Sequence, residues 1–126
     1  MAETELRSYT ITKSGHFEAA HYLPGYPGKC AHVHGHRWEV VAEIEFPIVP
    51  RHMVAAEDED ACGILVDFND IKELWAELDH PEYDVLNNLI PNPTAEVIAN
   101  MLLETLCDLV ESSMGRQPVP FQATIT

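Results

Sequence analysis

The stretch His34-Gly35-His36-Arg37-Trp38-Glu39-Val40-Val41-Ala42-Glu43-Ile44-Glu45-Phe46-Pro47-Ile48 decides the fold. His34, His36, Trp38, Val40, Ala42, Ile44, Phe46 and Ile48 share one parity. Arg37, Glu39, Glu43 and Glu45 take the other, with Val41 the main exception. Alternation of period two marks a strand with one face on a core. The two histidines continue the apolar, inward face. Side chains at i and i+2 of a strand point the same way, so His34-Gly35-His36 presents two imidazoles to one side. His21, from a neighbouring strand, supplies a third. Three nitrogen ligands leave a tetrahedral zinc with one open position, the catalytic arrangement rather than the closed structural one.

Upstream of this strand, residues 7–21 read as a first strand ending in Phe17-Glu18-Ala19-Ala20-His21. Residues 22–33 read as a loop, marked by Pro24-Gly25 and Pro27-Gly28. Downstream, residues 50–62 form an acidic excursion around Glu57-Asp58-Glu59-Asp60, read as a solvated hairpin tip. Gly63-Ile64-Leu65-Val66-Asp67 has the character of a returning strand. A helix is predicted over 68–79, with Ile71, Leu74, Trp75 and Leu78 on one face. Asn92 as N-cap, Pro93 at the first helical position and Glu96 in the first turn open a second helix. It runs to about Ser112 and buries Val97, Ile98, Met101, Leu102 and Leu109. A last strand covers about 119–126. The predicted order is β-β-β-α-α-β, an α+β protein with a four-stranded antiparallel sheet and two helices on one face.

With 126 residues, the chain is read as one domain with room for a core. No apolar run reaches the length of a membrane span. The acidic start, Met1-Ala2-Glu3-Thr4-Glu5, has no signal-peptide core, so the expected compartment is the cytoplasm. Cys30, Cys62 and Cys107 are scattered and form no CxxC pair, which argues against a disulfide framework or a cysteine-based zinc site. A formal net charge of −14 argues against sequence-independent binding to nucleic acid. It also sets a field that an anionic substrate must overcome through local cations, histidines and backbone N–H groups.

Cys30 is either a small buried hydrophobe or a reactive thiol. Its neighbour Lys29, and a zinc on the strand four residues on, would lower a thiol pKa. Asp79-His80 closes the first predicted helix. It is either a histidine favoured by the helix dipole or a proton-transfer pair in which Asp79 orients His80. His32 shares the parity of His34 and His36, as a ligand or a donor behind them. His16 is an ordinary strand residue in this scheme, His52 belongs to the acidic excursion, and Cys107 packs within a helix.

The ordered motifs Phe17-Glu18-Ala19-Ala20-His21, Cys30-x-x-x-His34-Gly35-His36, Gly63-Ile64-Leu65-Val66-Asp67-Phe68, Leu78-Asp79-His80 and Asn92-Pro93-Thr94-Ala95-Glu96 cover most of the chain. Together they resemble the 6-pyruvoyltetrahydropterin synthase family. The resemblance implies zinc held by His21, His34 and His36, a catalytic Cys30, and a proton-transfer pair Asp79 and His80. It also implies substrate contacts from Thr94 and Glu96. The short gap between Cys30 and His34 resembles the bacterial 6-carboxytetrahydropterin synthase branch of queuosine biosynthesis. That branch converts 7,8-dihydroneopterin triphosphate to 6-carboxy-5,6,7,8-tetrahydropterin, acetaldehyde and triphosphate. Alternatives are a 6-pyruvoyltetrahydropterin product or a non-catalytic homologue that binds zinc or pterin. The implied fold is the tunnelling fold, and the implied assembly a homohexamer with sites between subunits. The family's pterin-anchoring glutamate follows the last strand, beyond Thr126, so a sequence cut short in that strand is expected.

Overall fold

The structure, a computed structural model, describes residues 6–50, 65–80, 85–114 and 120–126. Strands β1 (Leu6–His21) and β2 (His34–Pro50) form a long antiparallel hairpin, and β3 (Gln122–Ile125) pairs with the other edge of β2. Helices α1 (Phe68–Glu73) and α2 (Ala95–Met114) bury their apolar faces in the same core as the hairpin. Single 3-10 turns stand at Lys29–Ala31, Ala76–Leu78 and Leu86–Asn88.

The hairpin register sets the two faces. Tyr9 pairs with Phe46, Ile11 with Ile44, Gly15 with Val40, Phe17 with Trp38, Ala19 with His36 and His21 with His34. These pairs share one face of the hairpin. Phe17, Val40, Ala42, Ile44 and Phe46 are buried there. Glu39, Glu43 and Glu45 are exposed on the opposite face. The predicted alternation holds from Trp38 to Phe46 and then fails. Arg7 pairs with Val49 while Tyr9 pairs with Phe46, so one residue of β1 faces both Pro47 and Ile48. This bulge advances the pleat by one residue. It sits at a proline that has no N–H for the ladder. Ile48, expected inward, is 47% exposed, and Val49 is buried in its place.

Further expectations can be set against the structure. Among the described residues the sheet has three strands. The described part of the predicted returning strand, Leu65–Asp67, is not extended strand: Leu65 and Val66 are buried and Asp67 caps α1 through Asn69 N–H. Most of the acidic excursion, including Glu57–Asp60, lies outside the described residues, as do His52, Cys62, Gly63 and Ile64. The first helix ends at Glu73 and tightens into the 3-10 turn, although Ile71, Trp75 and Leu78 bury the predicted face. The second helix begins at Ala95, and its core stripe is Ile98, Leu102, Leu106, Val110 and Met114. Val97, expected in the core, is 40% exposed. A stripe spaced strictly by four residues drifts around a helix of 3.6 residues per turn.

The free edge of β1 is closed piecewise near its end. Glu18 N–H donates to Asp79 Oδ1 and Glu18 C=O accepts from His80 N–H, both at 2.8 Å. Ala20 forms a bridge with Val85. Asn87 accepts from Tyr22 N–H at 3.0 Å and donates to Tyr22 C=O at 2.9 Å. Every second residue from Glu18 to Tyr22 is thus paired, which holds the histidine-bearing end of the hairpin straight.

Gly15 marks a close approach. A Cβ there would stand 2.5 Å from Trp75 Cζ2 and 2.8 Å from Nε1, because the indole lies flat on this point of the sheet. Gly15→Ala is expected to cost about 1–3 kcal/mol by overpacking. Gly35→Ala, whose Cβ would meet Ala20 at an ordinary 3.8 Å, is expected to stay within about 0.5 kcal/mol of wild type. Urea denaturation of the two variants tests the contrast.

Candidate metal centre

His21 ends β1 and His34 begins β2, directly opposite each other across the hairpin. His36 lies two residues further on, on the same face. The rings gather: centroids are 4.5 Å apart for His21 and His34, 5.1 Å for His21 and His36, and 5.7 Å for His34 and His36. One ring nitrogen from each lies within 4.8 Å of the others, the single group of that kind among the described residues. His21 is buried, His34 half-buried and His36 exposed, so the cluster opens to solvent on one side.

Backbone carbonyls assign the tautomers. His21 Nδ1 donates to Pro93 C=O at 2.6 Å and His34 Nδ1 to His32 C=O at 2.8 Å. His36 Nδ1 makes a longer contact with Arg37 C=O, 3.4 Å. With its proton on Nδ1, His21 presents the Nε2 lone pair. His36 Nε2 faces it at 3.2 Å, so the two nitrogens either share a proton donated by His36 or hold a cation between them. Ligands 2.0–2.1 Å from a tetrahedral zinc are themselves about 3.4 Å apart; the His21–His36 pair is already near that spacing, and the third nitrogen, from His34, lies within 4.8 Å of both. A ligand histidine whose other nitrogen donates to a carbonyl is the usual arrangement behind a metal.

Trp38 supports the cluster from below. Its indole meets His36 at 4.2 Å and His21 at 4.8 Å, stacks on Phe17 at 5.7 Å, and donates Nε1–H to Ala19 C=O at 3.2 Å. Burial holds the His21 pKa below the ordinary imidazole value, and repulsion from His34 and His36 adds to this. The Pro93 carbonyl partly offsets both. The lowered pKa favours the neutral ring, the form a metal requires.

The remaining candidate residues lie outside this cluster. Cys30 is half-buried and free, in the loop joining the two ligand strands; its carbonyl accepts from Leu23 N–H at 2.7 Å. Asp79 and His80 are exposed. Asp79 Oδ1 stands 3.8 Å from His80 Nε2 but is bonded to Glu18 N–H, so the carboxylate holds β1 as well as facing the imidazole. His80 has a left-handed φ of 47°, which turns the chain back onto Glu18. Asn92 does not cap the second helix. The cap is Thr94, whose Oγ1 accepts from Val97 N–H at 3.1 Å. Glu96 is exposed in the first turn. His32 acts through its carbonyl on His34 rather than as a ligand. Sequence reasoning missed Pro93 as the partner of His21 and Glu18 as the partner of Asp79. Both contacts link segments more than sixty positions apart and leave no local signal.

His34→Ala is expected to abolish metal retention, measured by metal content after dialysis, with the fold kept. Stability carries a second signature. Unfolded His21 takes up a proton near pH 6.5, whereas the folded ring does so only at lower pH. Stability is therefore lost as pH falls from about 6.5 towards the folded value, and is unaffected above it. For metal-free protein, the advantage of wild type over His21→Gln in denaturant midpoint is expected to narrow across that window.

Comparison with known proteins agrees with this fold. The sequence model of 6-pyruvoyl tetrahydropterin synthase matches residues 10–120. The chain is 33% identical over 103 residues to an Archaeoglobus fulgidus protein named "Putative 6-carboxy-5,6,7,8-tetrahydropterin synthase", covering 79% of this chain and 74% of that one. It is 38% identical over 63 residues to the 6-carboxy-5,6,7,8-tetrahydropterin synthase of Rickettsia bellii, covering 50% of this chain and 38% of the relative. The solved structure of Caenorhabditis elegans 6-pyruvoyl tetrahydropterin synthase superposes with a TM-score of 0.52 at 21% identity, over 96% of this chain and 89% of that one. That likeness speaks for the fold alone, the expected tunnelling fold. No described helix is long and apolar enough to cross a membrane. By its sequence from residue 10 to 120, the chain belongs to the 6-pyruvoyl tetrahydropterin synthase family.

Proposed function

We propose that the protein is a zinc-dependent 6-carboxy-5,6,7,8-tetrahydropterin synthase. It would take 7,8-dihydroneopterin triphosphate and water to 6-carboxytetrahydropterin, acetaldehyde and triphosphate, in the cytoplasm, on the route to queuosine. The observation that carries the proposal is the convergence of three imidazoles whose outer nitrogens are bonded to backbone carbonyls. Two named relatives of the same activity support the choice of product.

Zinc bound there supplies Lewis acidity to the hydroxyl and carbonyl oxygens of the substrate side chain. The chain's own residues do the rest. His21, His34 and His36 fix the position of that side chain. Cys30, as thiolate, accepts a proton from the carbon next to the pterin ring. His80, paired with Asp79, carries a second proton to or from the same carbon chain. Thr94 and Glu96, at the start of α2 beside Pro93, contact the bound pterin. The Thr94 hydroxyl accepts from Val97 and keeps its own proton to donate.

Cys30 and the Asp79–His80 pair lie outside the histidine cluster of their own chain. A homohexamer with sites between subunits would bring such groups together. Light scattering tests this through a mass near six chains.

A second reading, a 6-pyruvoyltetrahydropterin product, is favoured by the name of the matching family. Mass spectrometry of the products separates the two: acetaldehyde forms only on the 6-carboxy route. Cys30→Ala is expected to keep its zinc and lose turnover by about a hundredfold or more, the usual worth of a positioned acid–base group. Full turnover in Cys30→Ala would show that the thiol is not the base. Full zinc occupancy with no turnover in wild type would favour a binding-only homologue.

A further inference from the structure

The first turn of α2 presents a competition for one hydrogen-bond acceptor. In an α-helix each carbonyl accepts from the N–H four residues on. The partner of Pro93 C=O would therefore be Val97 N–H. That N–H is instead taken by Thr94 Oγ1 at 3.1 Å, while Thr94 C=O receives Ile98 N–H at 3.0 Å. Thr94 N–H turns back to Asn92 C=O at 2.8 Å. The helix is thus stopped at Thr94, and Pro93 C=O is left without a helical donor. Pro93 is fully buried, so water cannot serve it. The donor that does is His21 Nδ1–H, at 2.6 Å.

We infer that Thr94 is a positioning residue of the metal centre: by capping α2 it frees the Pro93 carbonyl to hold His21 in its ligand tautomer. The inference rests on the three-histidine reading of the site. It adds a role for Thr94 that needs no contact with substrate. Removing the hydroxyl returns Val97 N–H to the pool. The helix can then extend by one residue onto Pro93 C=O, and His21 loses the bond that fixes its ring. Loss of a partner behind a metal ligand typically weakens binding about 10–100-fold.

The test compares Thr94→Val, nearly the same shape without the oxygen acceptor, with Thr94→Ser and Asp67→Ala. The serine variant keeps the acceptor. The Asp67 variant removes the equivalent cap from α1, where Asp67 accepts from Asn69 N–H at 2.8 Å. Zinc affinity is measured by chelator competition, and cobalt is read by its visible absorption. The tautomer of His21 in metal-free protein is read from long-range proton–nitrogen NMR spectra. Thr94→Val is expected to bind zinc about tenfold or more weakly, to show an altered cobalt spectrum, and to lose the Nδ1–H preference of His21. Thr94→Ser and Asp67→Ala are expected to match wild type in all three. Wild-type behaviour of Thr94→Val overturns the inference, as does equal weakening in Asp67→Ala, which would mark a general loss of stability. Failure of wild type itself to bind zinc or cobalt removes the histidine site, and is distinguishable because the variants then have nothing to lose.

Discussion

The buried hydrogen bond from His21 to the Pro93 carbonyl ties the three-histidine cluster to the rest of the fold. It joins the end of β1 to the turn that starts α2, over 72 positions of sequence. Neither end is free to move. His21 is fixed by the hairpin register, opposite His34. Pro93 is fixed by its ring, its burial and the cap that follows it. Helix, strand and ligand geometry are consequently one problem, since a shift of α2 along the sheet would turn an imidazole. A protein interior packed to crystal density does not absorb such shifts without strain. A core of Ile98, Leu102, Leu106, Val110 and Met114 therefore keeps the ring in place as much as the hydrogen bond does.

The same end of the hairpin carries a second set of constraints. Asp79, His80, Val85 and Asn87 pair with alternate residues of the β1 edge. An unpaired edge invites association with other strands; here loop residues close it. The proton-transfer pair proposed for catalysis is part of that closure. Asp79 serves the backbone of Glu18 and the imidazole of His80 through one carboxyl oxygen. Anything that moves β1 moves this pair and His21 together. The exposed Glu39, Glu43 and Glu45 lie on the face of the sheet opposite the histidines.

What the sequence showed was local in range. The spacing of His34 and His36 and the alternation from Trp38 to Phe46 are consequences of a period of two, so they could be read directly. The strands, the loop between them and the two helices followed from similar short-range signals. The failures share one cause. Ile48 turned outward because a bulge at Pro47, fixed by pairing with Arg7 and Tyr9, reset the pleat. The second helix is capped by Thr94 rather than Asn92, and the Pro93 carbonyl just before it meets a residue on β1 instead of a helical N–H. Asp79 found Glu18 before His80 for the same kind of reason. A linear pattern states which face a residue occupies. It does not state which distant backbone group meets it, and at this site those groups set the tautomers.

X-ray absorption at the zinc edge of the purified protein tests the central claim most directly. The account predicts three imidazole nitrogens and one exchangeable oxygen at about 2.0–2.1 Å, with no sulfur at about 2.3 Å. That result leaves Cys30 free to act as a base beside an open metal. A sulfur shell would place Cys30 on the metal and close the site. A spectrum without histidine scattering would contradict the three-histidine centre itself.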